Sequence, residues 1–323
     1  MSGALDTLAG TLMVPTILFF VLGLVAALVR SDLSIPEGAA KVMSLYLLLA
    51  IGFKGGHSLS GSGLGPDLLL AIVAGLTLSF LIPFLAFVLL RAMTRLDAMN
   101  AAAVAGHYGS ISIVTFVAAT SLLTLSGVAF DGYMVAVAAS MEVPAILSAL
   151  WIASRRSNDG SARALPMRDL LANGSIVLLA GAFAIGAVTR DEGMEMIAPF
   201  VVTPFLGVLC LFLLDMGLSA GRSLAANRHL LTAGLFSFGL LMPVLGAMLG
   251  WALGAAIGLQ TGSLFLLMVL AASASYIAVP AAMRIALPRA EAGISLTLSL
   301  GVTFPFNITI GLPAYLWLAG LGA

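Results

Sequence analysis

Two short stretches carry most of the residues that could do chemistry: "AGHYGSISIVTF" (Ala105 to Phe116) and "AASASYIAVPAAM" (Ala271 to Met283). The first sets His107, Tyr108, Gly109, Ser110 and Ser112 close together, and the second sets Ser273, Ala274, Ser275 and Tyr276 ahead of Pro280. One chemistry open to the first stretch is nucleophilic. His107 and Ser110 would be neighbours on a helix, a serine with its base, but no third group that would orient the histidine is evident. The other chemistry is binding. Small and flexible residues interrupt a helix, and the interruption frees backbone N–H groups and carbonyls that can hold ions of either sign. Outside these stretches four polar residues stand in apolar surroundings: Glu142 in "AASMEVPAIL", Asp215 in "LFLLDMGLSAG", Lys54 in "LLAIGFKGGHSL" and Asn307 in "TFPFNI". A lone carboxylate such as Glu142, beside Pro144, is costly in an apolar span, so a functional role is its default. Lys54 lies near enough to a span end to reach water along its own stem.

The rest of the chain must position these residues inside lipid. Of the 323 residues 61% are hydrophobic and 9% charged, with mean hydropathy +1.15. A soluble domain carries about 25% charged residues, so this chain is solvated by a bilayer. The net charge is zero, which implies no nucleic-acid partner. The single cysteine, Cys210, excludes an intrachain disulfide and any multi-cysteine metal site. "MSGALDTLAGTLMVP" has no positive region ahead of its apolar run and is expected to open the first span rather than to be a leader.

Spans of about 20 apolar residues are expected near residues 9–30, 38–56, 66–91, 98–126 and 131–154, then 169–190, 197–221, 229–258, 261–288 and 291–320. With these ten spans, twelve of the fourteen Lys and Arg residues fall on one side, and only Lys54 and Arg190 on the other. Positive residues mark the cytoplasmic face. Both termini are therefore expected outside the cytoplasm of a cell inner (plasma) membrane, with the polar linker 155–168 inside it.

The halves resemble each other. "GHSL" (Gly56 to Leu59) answers "GRSL" (Gly221 to Leu224), "LIPFL" (Leu81 to Leu85) answers "LMPVL" (Leu241 to Leu245), and Pro144 falls on Pro305. The expected fold is an all-α polytopic membrane protein of ten transmembrane helices. It is built as two inverted five-helix repeats, 1–154 and 169–323, with helices four and nine discontinuous. Paired interruptions at matching repeat positions are a pointer to a transport site. New helix N-termini are expected at about Ser110 and Ser275, facing each other and attracting a small anion, while the upstream carbonyls suit sodium. The glycines at 246, 250, 254 and 258 form a small-xxx packing stripe.

At "GHYGSISIVTF", "MEVPAILSAL" and "SASYIAVPAAMR" the sequence resembles the SbtA-type sodium-dependent bicarbonate transporter family. The resemblance implies sodium-coupled bicarbonate uptake with sodium as coupling ion and no other cofactor. It also implies a gate of spans one, two, six and seven, an elevator-like core of spans three to five and eight to ten, and a homotrimer. Carried over, bicarbonate lies at Gly109, Ser110, Ser112, Ser273, Ala274, Ser275 and Tyr276. Sodium lies near Ser110, Ser273, Glu142 and Asn307, with His107, Tyr108 and Asp215 in support. Members regulated by the PII-like protein SbtB often have a longer loop between spans five and six, and the short one here speaks against that partner. The rival expectations are transport of another small anion, coupled to sodium or protons, a passive channel, and an intramembrane hydrolase using Ser110 and His107.

Overall fold

The computed structural model describes residues 14–62, 65–156, 174–276 and 278–321. The expected cytoplasmic linker lies outside the described residues from 157 onward, as do the first residues of the first span and Ile277. Among the described residues the chain is helical, with no strand. Seven of its helices are long and apolar enough to cross a membrane: Glu37–Ser60, Pro66–Met93, Ala98–Leu125, Met134–Arg155, Phe205–Leu230, Ala233–Ala256 and Ala292–Leu321. Pro15–Leu28 and Thr261–Ala272 are shorter and equally apolar. The protein is a multi-pass membrane protein, helical in class over the described residues.

The first elements are α1 (Pro15–Leu28), α2 (Glu37–Ser62) and α3 (Pro66–Met93). Two of these open on a proline, whose fixed φ suits a first helical turn and whose missing N–H costs nothing there. An interrupted pair follows, α4 (Ala98–Gly109) and α5 (Ile113–Leu125), then α6 (Met134–Ser140) and α7 (Glu142–Arg156). The second half runs α8 (Gly174–Val201), α9 (Phe205–Asn227), α10 (Ala233–Ala256), α11 (Thr261–Ala272) and α12 (Ala278–Ala286). It ends with α13 (Ala292–Leu298), α14 (Phe304–Phe306) and α15 (Leu312–Leu321), joined by π turns at Ser299–Thr303 and Asn307–Gly311.

Two helices run differently from expectation. α8 does not stop at Arg190. That residue takes φ 51°, the chain kinks, and helix resumes to Val201, through residues expected to form a loop and the start of the next span. Span five is itself interrupted, at Met141, because Pro144 has no N–H to give the Ser140 carbonyl one turn back.

Packing divides the helices into two groups. In one, α1 lies along α9 and α2 along α8. Glycines permit both close crossings: Gly52 meets the Leu179 carbonyl and Gly217 the Phe20 carbonyl, where a Cβ has no room. In the other, α3 packs on α4 and α7, α10 on α11, and α11 on α5 and α15. The Gly246 and Gly250 stripe does what the spacing suggests, bringing α10 against the Ala271 and Met268 backbone of α11. α4 and α11 are each buried on every side, so their broken ends lie inside protein, where unwound backbone at membrane depth is tolerated.

Candidate functional site

The break between α4 and α5 spans Ser110 to Ser112 in extended backbone. At Gly109, the last residue of α4, the chain presses on α3: a Cβ there would strike the Pro83 ring and the Ser79 carbonyl. Ser112 caps α5, its Oγ accepting from the Thr115 N–H at 3.2 Å and from the Thr115 hydroxyl at 2.9 Å. The new N-terminus therefore begins after Ser112 rather than near Ser110. Ser110 is instead the C-cap of α4, and its hydroxyl donates to Glu142 Oε2 at 2.7 Å.

The second break runs from Ser273 to Tyr276, between α11 and α12. Here Ser273 is the C-cap, and its Oγ donates to the Leu270 carbonyl at 2.9 Å. The same oxygen accepts the Ser112 N–H at 2.9 Å, so the two breaks touch. They are joined again one residue pair away. The Ser275 N–H donates to the His107 carbonyl and His107 Nδ1–H donates to the Ser275 carbonyl, both at 2.7 Å. A carbonyl only accepts, which fixes the histidine tautomer. At the start of α12 the Val279 N–H reaches Ser275 Oγ only at 3.5 Å, leaving that helix end loosely satisfied.

Glu142 is 2% exposed and opens α7. Its carboxylate lies at a helix N-terminus, where the positive end of the peptide dipoles favours negative charge. The neighbouring Met141 carbonyl is braced by the Ser79 hydroxyl at 2.5 Å.

A narrow, tightly closed cleft lies beside these groups, lined by Ser44, Ser112, Glu142, Ser175, Ser275 and Tyr276 with three apolar neighbours. Among the described residues no lysine or arginine lines it. The Tyr276 hydroxyl is buried beside Ser112 without a hydrogen-bond partner of good geometry. A buried polar atom left this way is costly and usually has an absent partner.

Of the residues expected at the site, Ser112, Ser275, Tyr276 and Glu142 share this cleft, and Ser110 and Ser273 bond directly to its members. Ala274 is buried in the extended stretch between two of them. Others stand apart. Gly109 is a packing contact against α3. The Tyr108 hydroxyl pairs with Thr303 Oγ1 at 2.7 Å, and Thr303 in turn donates to the Gly239 carbonyl at 2.7 Å. Asn307 Nδ2 holds the Ala272 carbonyl at 2.9 Å while its Oδ1 accepts from the Tyr315 hydroxyl at 3.1 Å. Asn307 is thus a brace behind the break of α11. Asp215 is buried in α9 but does not line the cleft. Ser44 and Ser175, which close the cleft from α2 and α8, are single serines whose position in apolar helices gives no signal in the sequence.

Residues 15–320 match the family described as the Na+-dependent bicarbonate transporter superfamily. The chain belongs to that superfamily. No curated protein matches the chain. As a member of a transporter family the protein is not an enzyme. The Ser110 hydroxyl donates to Glu142 Oε2 rather than to His107.

Proposed function

We propose that the protein is a sodium-coupled bicarbonate symporter that holds its anion in the cleft where the two helix breaks meet. The observation that carries this reading is the contact itself. Ser112 and Tyr276, from opposite halves of the chain, converge on one cleft with no cationic side chain among the described residues, and the Tyr276 hydroxyl has no hydrogen-bond partner of good geometry there. Hydroxyl donors and two helix starts suit a small planar monoanion. Glu142 with the Ser110 oxygen supplies hard oxygens of the kind sodium prefers, next to the anion, so each ion lowers the cost of burying the other.

Ten spans arranged as two inverted repeats make this geometry reasonable, and the packing supports that arrangement. Exchanging the halves turns the α1–α9 pair into the α8–α2 pair, and the Ser79–Met141 contact has its counterpart in Thr303–Gly239. In this reading α1, α2, α8 and α9 form a static gate domain, the remaining helices form a core that carries the site past it as an elevator, and three copies assemble. The twelve-to-two distribution of positive residues supports termini on the outer side of a cell inner membrane. Each sodium that enters in excess of the anion charge contributes about 2.3 kcal/mol per 100 mV of membrane potential. With so short a central loop, no PII-like regulator is included.

Uptake of labelled bicarbonate by proteoliposomes tests the proposal. An inward sodium gradient should drive accumulation above equilibrium. Uptake indifferent to sodium refutes the coupling, and robust uptake of another anion in place of bicarbonate refutes the substrate.

A further inference from the structure

A second cavity, of about 360 Å³, lies between α2, α5, the α5–α6 connection and the start of α9. Among the described residues its one charged side chain is Lys54, half-buried, with the ammonium 3.6 Å from the centroid of the Phe205 ring. Among the described residues no carboxylate lines the cavity and none lies within ion-pair distance of Lys54. Lys54 thus holds a positive charge in the recess, against an aromatic face.

The cavity and the cleft share their walls. Along α2, Ser44 and Leu48 line the cleft while Ile51, Lys54 and Ser58 line the cavity, steps of three and four residues that keep to one helix face. Along α5, Ile113 lines the cleft, and Thr120 and Thr124 the cavity. From Leu48 to Lys54 is about 9 Å at 1.5 Å per residue. The hydroxyl hydrogens of Thr120 and Thr124 are turned to the Val117 and Thr120 carbonyls, so the other side-chain N–H and O–H groups of the lining belong to Lys54, Ser58 and Ser121.

We infer that this cavity is a loading site for anions, in which Lys54 gathers a small hydrated monoanion before it enters the cleft. One ammonium with few neighbouring hydroxyls in a roomy recess binds weakly and releases quickly, as a loading site requires. That the gathered anion is the transported one rests on the function proposed above; that an anion is gathered at all does not.

The test separates the two. F205W places a fluorophore beside Lys54, and its quenching by iodide is compared with quenching by neutral acrylamide, in F205W and in F205W/K54Q. Loss of one charge at short range in a well-hydrated recess should lower the iodide quenching constant about fivefold and leave acrylamide unchanged. In proteoliposomes K54Q should raise the KM for bicarbonate by a similar factor, more than it lowers the maximal rate, and K54R should restore it. Iodide quenching that ignores K54Q overturns the anion site. Charge-dependent quenching with an unaltered KM overturns its loading role. If the parent chain takes up no bicarbonate while quenching still follows Lys54, the proposed function falls and the anion site stands.

Discussion

Replacing Tyr276 by phenylalanine removes one oxygen atom, and the structure ties opposite consequences to it. In the chain alone that oxygen is buried beside Ser112 and has no hydrogen-bond partner of good geometry. A buried unsatisfied hydroxyl costs about 1–3 kcal/mol, so Tyr276→Phe should leave the ligand-free protein at least as stable as the parent. With bicarbonate bound, the same hydroxyl donates to an anion, an interaction of about 1.5–3 kcal/mol. At 1.4 kcal/mol per tenfold, its loss raises the KM for bicarbonate roughly tenfold to hundredfold. The assays are initial uptake rates in proteoliposomes at saturating sodium, and thermal unfolding with and without bicarbonate. The parent should be stabilised by bicarbonate in proportion to the logarithm of its concentration over Kd, and at the same concentration Y276F should gain far less. A Tm that falls without ligand would mean that the hydroxyl is structural. A KM that does not move would mean that the anion is held elsewhere. Either result refutes the assignment of Tyr276 to the substrate.

Glu142→Gln keeps the shape of the side chain and a carbonyl to accept from Ser110 but removes the charge. A full charge at about 4 Å is worth about 4 kcal/mol at an effective dielectric constant of 20, so half-saturation by sodium should rise at least about a hundredfold. An unchanged sodium dependence of uptake would contradict the cation role. Asn307→Ala leaves both the Ala272 carbonyl and the Tyr315 hydroxyl without a partner, which should cost about 2–4 kcal/mol in thermal unfolding. Its sodium half-saturation should shift far less than that of E142Q, and the reverse ranking would make Asn307 a sodium ligand instead of a brace. Gly109→Ala drives a methyl into the Pro83 ring and the Ser79 carbonyl and should destabilise by about 1–3 kcal/mol through overpacking, seen as a lowered Tm.

The two interruptions were legible because each combines several small polar residues in a span that otherwise excludes them, and Pro280 adds a second mark to one. Glu142 was legible because an acid deep in an apolar span has few structural uses. What the sequence did not show was which serine does what. Ser110 and Ser112 are two residues apart and chemically identical, yet one is drawn to Glu142 on another helix and the other caps α5. Only the fold decides between them. Asn307, expected near sodium, and Tyr108, expected in support, each bond to a partner far away in the chain, at Ala272 and Thr303. The kink at Arg190 and the π turns of the last span depend on how the helices pack and leave no mark in residue spacing. Lys54 was hidden differently. Its distance from a span end allows either escape to water or retention in a recess, and the recess exists only because α5 and α9 stand opposite it.

The most direct measurement is a structure determined with bicarbonate and sodium at saturating concentrations. Planar density is expected against Ser112, Ser275 and Tyr276, with a spherical feature within ligand distance of Glu142 and the Ser110 hydroxyl. An anion bound at full occupancy away from the meeting point of the two breaks, with that cleft still closed and empty, would contradict the account.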